Sequence, residues 1–191
     1  MTDEPAARVF AEIEKIPYFL PAEKSFEDFL AEGGVEFIAA ELWESYYETV
    51  LGERLATVPS DNLNLLYTPL CGTGNKPVRT VLGRIGVNVA VVPAQEKPDG
   101  DFKTCEYPNP ETDAALNESY KIARETHPDL ILGTDPDCDR VAVAVPVEGS
   151  FRKLSGNELG CLLLDYILGT MQKAGTLPAD PVAVRSIVST P

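Results

Sequence analysis

The sequence predicts an α/β protein. We expect three α/β/α layers around a mixed sheet, mostly parallel with one antiparallel strand, preceded by N-terminal helices. Between residues 64 and 133, short apolar segments alternate with helical patterns, which is the spacing of parallel βαβ units with right-handed crossovers. The next apolar segment, residues 140–147, follows after too few residues for a crossover. This last strand should therefore run antiparallel to its neighbour.

Residues 3–58 have the periodicity of helices, and the paired glycines at 33 and 34 divide them into two parts. In the second part, apolar residues recur every four positions, which predicts a face that packs against other residues. The members of this stripe are Ile38, Leu42, Tyr46 and Val50.

The remaining elements follow from apolar runs and their punctuation. In chain order they are a strand over 64–70, a helix through 85, a strand over 87–92, a helix over 112–125, strands over 130–133 and 140–147, a helix that opens at Ser155 and a strand over 182–190. Gly86 is a helix stop, and Ser155 with Glu158 forms a capping-box pattern. The helix after Ser155 should bury a stripe made of Leu159, Leu162, Leu163, Tyr166 and Ile167.

These elements predict three parts: a helical segment over residues 1–60, an α/β domain over residues 61–175 and a C-terminal part over residues 176–191. The strand over 182–190 has no partner element after it, so it either joins the main sheet or begins another domain.

Composition restricts the class of protein. A chain of 191 residues with 44% hydrophobic and 24% charged residues is typical of a soluble globular protein. The net charge of −14 argues against binding to nucleic acid or to anionic membranes, since both favour basic surfaces. Neither a signal peptide nor a membrane-length apolar stretch is visible. Four widely spaced cysteines without a C-x-x-C pair fit reduced thiols in the cytoplasm.

The segment from Ile131 to Val145 carries the candidate metal site. Asp135, Asp137 and Asp139 alternate at the end of an apolar run, and Arg140 follows. Two carboxylates about 5 Å apart repel by about 3 kcal/mol at an effective dielectric of about 20. A divalent cation would compensate, and oxygen ligands favour Mg²⁺, Mn²⁺ or Ca²⁺. Since Mg²⁺ bonds are only about 2.0–2.1 Å long, the loop must curl; the alternative is an acidic turn without an ion.

Other families with alternating aspartates can be compared by their sequence motifs. An EF-hand needs glycine at position six and glutamate at position twelve, where this chain has Arg140 and Pro146. A haloacid-dehalogenase-type phosphatase expects threonine or valine where Asp139 stands. A sugar-nucleotide transferase with a metal-binding D-x-D remains as a competitor.

A glycine-rich turn follows the first predicted strand. Gly72, Thr73 and Gly74 lie where a parallel strand ends and a helix opens, and ligands bind at such ends in open α/β sheets. The backbone N–H groups of this turn could bind an anion such as phosphate. The alternative is a plain turn whose glycines supply a positive φ.

Four segments together resemble one family. YTPLCGTG, VVPAQEKPDGDFKTCEYPNPE, GTDPDCDR and SGNELGCLLLDYI resemble, in order and spacing, the second domain of the α-D-phosphohexomutases. The phosphoglucomutase and phosphopentomutase branch is the most similar. The resemblance covers about residues 36–190.

The resemblance implies a phosphotransferase-type isomerase. Such enzymes move a phosphoryl group between hydroxyls of one sugar phosphate through a phosphoserine. It further implies that Asp135, Asp137 and Asp139 bind Mg²⁺ and that Arg140 has a catalytic role in steadying phosphate charge. None of the serines lies in the family's T-A-S-H-N-P-like loop, and Cys71 stands where the family often has histidine.

The resemblance also implies that residues 1–60 link from a first domain outside this sequence, that residues 61–175 are the metal-binding domain and that residues 176–191 begin a truncated next domain. We therefore expect the Mg²⁺ domain of a phosphoglucomutase-like enzyme, inactive alone. Its partners would be a sugar phosphate of the glucose 1-phosphate and glucose 6-phosphate class and the other domains of the parent enzyme. Two alternatives stay open. One is a stand-alone metal-dependent module that binds sugar phosphates, and the other is a D-x-D sugar-nucleotide transferase.

Overall fold

In the computed structural model of the protein, residues 3–18, 24–56 and 62–186 are described. The chain divides into two compact units, residues 1–43 and 44–191. This division differs from the boundary at residue 60 that the sequence predicts. Glu44 already belongs to the second unit, where its carboxylate pairs with Arg84 at 2.7 Å.

The N-terminal region is helical, as predicted. Its helices are α1 (Asp3–Ile13), α2 (Phe26–Ala31) and α3 (Ala40–Gly52). Gly33 breaks the region with a φ of +75°, a conformation that glycine adopts without strain.

The prediction of a packed stripe on and just before α3 is wrong for most of its members. Ile38, Leu42 and Tyr46 are all at least half exposed and Val50 is half-buried, whereas Tyr47 is buried. The reason lies in the helix orientation within the second unit, where the Arg84 guanidinium sits 4.8 Å from the centre of the Tyr47 ring. This cation–π contact covers the side of α3 that lies next to the predicted stripe.

The second unit contains one five-stranded mixed sheet. The strands are β1 (Asn64–Thr68), β2 (Asn88–Val91), β3 (Leu130–Thr134), β4 (Val141–Val147) and β5 (Ser150–Lys153). Their order is β2-β1-β3-β4-β5. The β1 strand pairs in parallel with β2 and β3, and β4 runs antiparallel to both β3 and β5. The α/β class and the antiparallel fourth strand are therefore confirmed.

The fifth strand is an addition to the predicted sheet. It pairs with β4 through a two-residue turn, because Val147 and Ser150 are direct partners. Both turn residues, Glu148 and Gly149, have positive φ values of 49° and 80°. Such a turn matches the twist of a β-hairpin, but its usual sequence signal is Asn-Gly or Asp-Gly.

Helices α4 (Asn75–Arg84) and α5 (Asn117–Thr126) cover opposite faces of the sheet. On one face Leu66 packs in a cluster with Ala123 of α5. On the other, Leu65 packs in a cluster with Leu82 of α4. Since neighbouring residues of a strand point to opposite faces, these two clusters establish the three-layer α/β/α arrangement.

The last helix, α6 (Gly156–Ala174), begins as the sequence predicts. The Ser155 hydroxyl accepts from the N–H of Glu158, and the helix ends at Gly175 with a φ of +69°. However, the predicted buried stripe is wrong, because α6 contains no buried residue and Leu162 is 56% exposed. The described part of the chain does not cover this face of α6.

The predicted strand over 182–190 lies only partly within the described residues. Residues 181–186 have no regular secondary structure, and residues 187–190 lie outside the described ranges. None of the helices in the described ranges has both the length and the apolar character needed to cross a membrane.

Candidate metal centre

The candidate site lies at the carboxyl ends of β1 and β3. These two parallel strands are neighbours, with Thr68 paired to Gly133. The chain leaves β1 toward β2 on one side, whereas β3 lies on the other side of β1. Such a point of divergence is where open α/β sheets bind ligands. Two segments meet there: the glycine turn, residues 71–74, and the aspartate loop, residues 135–139.

The aspartate loop brings the three predicted ligands together. Asp135, Asp137 and Asp139 each offer a carboxylate oxygen, and these oxygens all lie within 4.8 Å of one another. Over residues 3–18, 24–56 and 62–186, this is the one such group of three His, Cys, Asp or Glu side chains. The loop curls as predicted, since the N–H of Cys138 donates to the carbonyl of Asp135 at 3.0 Å. Cys138 takes a φ of 65° at this bend.

Asp135 is the structural centre of the loop. It is 7% exposed, and its Oδ1 accepts the N–H groups of Asp139 at 3.1 Å and Arg140 at 2.9 Å. Burial raises the pKa of Asp135, but the Arg140 N–H and the neighbouring carboxyl groups lower it by more, so this pKa lies below its usual value. Asp135 is thus held as a carboxylate, and its Oδ2 carries no backbone bond in the described structure.

Asp139 is in the opposite electrostatic situation. It is exposed, and the hydrogen bond with Asp135 together with repulsion from Asp137 and Asp135 raises the pKa of Asp139 above its usual value. Arg140 relieves only part of this repulsion. Its Nε lies 3.7 Å from Asp135 Oδ2 and 3.9 Å from Asp139 Oδ1, which are long distances for ion pairs, and its side chain is 49% exposed.

The donor set fits a hard divalent cation. Three carboxylates and one guanidinium give a local net charge of −2, which a divalent ion would neutralise. On Mg²⁺, oxygens in adjacent positions are about 3.0 Å apart and oxygens in opposite positions about 4.2 Å apart, so the oxygens, now up to 4.8 Å apart, must move closer together to bind one ion. Rotation of the two exposed side chains, Asp137 and Asp139, can supply this movement.

Two backbone N–H groups of the glycine turn form hydrogen bonds within the protein. The N–H of Gly72 donates to the carbonyl of Pro69 at 2.9 Å, and the N–H of Thr73 donates to the carbonyl of Pro136 at 2.8 Å. These two N–H groups therefore point into the protein and not toward an anion. Phosphate binding by Gly72, Thr73 and Gly74 stays a prediction, which would have to use other atoms of the turn.

Two residues of the site were not identified from the sequence. The hydroxyl groups of Tyr67 and Thr134 share a buried hydrogen bond of 2.8 Å, which ties β1 to the residue just before Asp135. Burial raises the pKa of Tyr67 to about 12, so its hydroxyl keeps its proton. The sequence carries only an indirect signal for this pair of hydroxyl groups. If β1 and β3 are neighbours in the sheet, residues near the ends of the two strands lie close together.

Cys71, at the start of the glycine turn, has a structural role here. It is buried, its N–H donates to the carbonyl of Gln95 at 2.9 Å, and burial raises the pKa of its thiol. A thiol with a raised pKa is a poor nucleophile.

Comparison with known proteins agrees with this architecture. The sequence model for the phosphoglucomutase/phosphomannomutase α/β/α domain II matches residues 44–149. A solved structure from Burkholderia thailandensis, titled as a phosphoglucomutase/phosphomannomutase family protein, superposes with a TM-score of 0.56. That structure is 18% identical in sequence and covers 67% of this chain and 26% of its own. At this identity the likeness concerns the fold.

Curated relatives are more similar in sequence. A probable phosphomannomutase from Haemophilus influenzae is 39% identical over 68% of this chain and 27% of its own length. A probable phosphoribomutase from Schizosaccharomyces pombe is 36% identical over 75% of this chain and 24% of its own. A phosphoglucomutase from Staphylococcus epidermidis is 32% identical over 81% of this chain and 28% of its own.

Phosphomannomutases and phosphoglucomutases are isomerases, and this chain spans about a quarter of the length of the relatives it matches. The family model covers more than half of the 191 residues. The chain therefore belongs to the phosphoglucomutase/phosphomannomutase family, and residues 44–149 are its α/β/α domain II.

Proposed function

We propose that this chain is the magnesium-binding domain of a phosphoglucomutase-like enzyme. The observation that carries the proposal is the group of three carboxylates within 4.8 Å of one another, at the β1/β3 edge of a domain of this family. The parent enzyme would transfer a phosphoryl group within a hexose or pentose phosphate, such as glucose 1-phosphate and glucose 6-phosphate, in the cytoplasm. The phosphoserine would come from another part of that protein, so this chain alone would be inactive.

All three aspartates would bind the ion, but they would do so in different ways. Asp135 is fixed by two backbone N–H groups, so it offers one oxygen in a set direction. Asp137 and Asp139 are exposed and can close onto the ion from the solvent side. When bound, Mg²⁺ neutralises negative charge on phosphate oxygens and on the carboxylates.

Arg140 would bind phosphate. Its half-exposed guanidinium forms only long ion pairs with Asp135 and Asp139, so N–H groups remain available on its solvent side. A planar guanidinium can bind two phosphate oxygens at once. Held beside the three carboxylates, it would orient a transferring phosphoryl group, and positioning of this kind supplies much of the catalysis in phosphoryl transfer.

The first test is a Mg²⁺ titration of the chain by isothermal calorimetry, with Asp137→Asn as the variant. Loss of one ligand should weaken binding by at least about tenfold, since even outer-shell substitutions at metal sites typically cost about 10–100-fold. The fold should stay intact, because Asp137 is exposed. Asp165→Asn is the matched control, because it removes the same charge from an exposed position on α6 and should leave the affinity unchanged.

Each outcome has a meaning. Equal Mg²⁺ affinity in Asp137→Asn and the parent chain contradicts the metal assignment. Robust conversion of glucose 1-phosphate by this chain alone, with Mg²⁺ and the bisphosphate activator, overturns the proposal that the serine comes from elsewhere. Micromolar binding of sugar phosphate without other domains would favour a stand-alone binding module, and Mn²⁺-dependent binding of a UDP-sugar would favour a transferase.

A further inference from the structure

The glycine turn contacts the aspartate loop directly. Thr73 donates twice to the carbonyl oxygen of Pro136, from its backbone N–H at 2.8 Å and from its hydroxyl at 3.1 Å. Pro136 stands between two of the carboxylates, and its carbonyl belongs to the peptide bond that enters Asp137. Thr73 therefore fixes the peptide plane between Pro136 and Asp137, which lies between the first two carboxylates of the loop.

The backbones of the two segments are also packed closely. A Cβ atom added to Gly72 would lie 2.3 Å from Pro136 Cα and 2.5 Å from Pro136 O. A Cβ atom on Gly74 would lie 2.8 Å from the sulfur of Cys138, beside Asp139. The turn thus approaches the loop near its start and near its end, and at both points only glycine leaves enough space.

We propose that Thr73 is a positioning residue for the metal loop, which it holds in the shape that brings the three carboxylates together. This inference rests on the proposed magnesium site. Thr73 acts through Pro136 and needs no contact with the ion. Apparent affinity falls with the fraction of time that a site spends in its binding-competent shape, so release of one Thr73 bond should weaken Mg²⁺ binding.

The test uses three variants of the chain. Thr73→Val removes the hydroxyl bond but keeps the side-chain shape and the N–H bond. Thr73→Ser restores a hydroxyl. Thr80→Val is the matched control, because the Thr80 hydroxyl also donates to a backbone carbonyl, that of Lys76 at 2.8 Å, from an exposed position on α4.

Calorimetry should give a Mg²⁺ dissociation constant about two- to tenfold higher for Thr73→Val than for the parent chain, the range that corresponds to one neutral hydrogen bond. Thr73→Ser should recover most of this loss, and Thr80→Val should bind like the parent. In the presence of a chelator, the N–H groups of Asp139 and Arg140 should exchange with deuterium faster in Thr73→Val. Exchange measures the shape of the loop without any metal.

The two proposals fail differently. If the parent chain does not bind Mg²⁺, the magnesium site is refuted and the role of Thr73 falls with it. If the parent binds Mg²⁺ but Thr73→Val binds equally well, only the positioning role is overturned. A lower melting temperature in Thr73→Val with unchanged affinity and loop exchange would assign Thr73 to general stability, which also overturns the positioning role.

Discussion

Asp135→Asn should separate the two tasks of this residue, metal binding and support of the loop. The carboxylate accepts two backbone N–H bonds, from Asp139 and Arg140. Hydrogen bonds to a charged group contribute about 1.5–3 kcal/mol and neutral ones about 0.5–1.5 kcal/mol. An amide oxygen in place of the carboxylate therefore costs about 1 kcal/mol per bond, or about 2 kcal/mol for the pair.

Part of this cost is offset. Asparagine avoids the penalty of burying a charge, but its NH₂ group would face the Arg140 Nε, which now lies 3.7 Å from Asp135 Oδ2. We expect a net loss of about 1 kcal/mol in the metal-free protein, or a melting temperature about 2–4 °C lower for a chain of this size.

Asp139→Asn should have the opposite effect on the metal-free protein. Asp139 is exposed, and its hydrogen bond with Asp135 and the repulsion around it raise its pKa. The ionised form of Asp139 is thus unfavourable in the folded state. Removing the charge should raise the melting temperature slightly, although both substitutions should weaken Mg²⁺ binding.

The measurement is thermal unfolding in chelator and again with excess Mg²⁺. The parent chain should gain stability with Mg²⁺ according to its affinity, about 2.7 kcal/mol at 100 times the dissociation constant, and both variants should lose most of that gain. A metal-free Asp135→Asn protein as stable as the parent, together with a destabilised Asp139→Asn protein, would refute the proposed roles of the two carboxylates.

Two further predictions concern the glycine turn and helix α6. Gly72→Ala should displace the aspartate loop and weaken Mg²⁺ binding more than tenfold, because the added Cβ has no space. The control is Gly83→Ala on α4, whose added Cβ meets nothing within 4 Å, so this substitution should be neutral or stabilising. Calorimetry compares the Mg²⁺ affinities of the two variants, and thermal unfolding compares their stabilities. Hydrogen bonds from the Ser155 backbone and Arg152 lower the pKa of Glu158 to about 2, so its contribution to stability is complete above its usual pKa and is lost as the pH falls toward 2. Glu158→Gln should therefore show a smaller acid-induced loss of helicity in circular dichroism, and an unchanged loss would contradict this linkage.

The order of strands and helices could be predicted because its signals are local. The apolar run of β3, the three alternating aspartates and the apolar run of β4 are contiguous in the chain, so the loop and its candidate ligands follow from the residues between Ile131 and Val145. The β4–β5 hairpin was missed because Glu148 adopts a positive φ, which sequence alone does not signal for glutamate.

The predictions of packed stripes on α3 and α6 were wrong for a different reason. Periodicity identifies which residues of a helix share a face, but it does not say whether that face is covered within the same chain. Leu162 belongs to a regular apolar stripe and is nevertheless 56% exposed. Its α6 helix also lies beyond residues 44–149, the part that matches the family domain.

Contacts between the glycine turn and the aspartate loop depend on sheet topology. Thr73 and Pro136 are 63 residues apart, and they meet because β1 and β3 are parallel neighbours with Thr68 opposite Gly133. The sequence predicted that each segment directly follows a strand. The bond between them requires the register of the two strands, which no local pattern contains.

Strained backbone on both sides of the contact between Thr73 and Pro136 supports a functional role for this contact. Leu70 just before the turn, Cys71 at its start and Cys138 within the loop have φ values of 47°, 61° and 65°. Each such residue costs on the order of 1–3 kcal/mol and persists only where its surroundings enforce it. Here the enforcing bonds run from Cys71 to Gln95 and from Thr73 to Pro136. Because protein bonds set the shape of the loop, little of the binding energy of an ion at the proposed site would be needed to order the backbone, and the affinity would depend mainly on neutralising the three carboxylates.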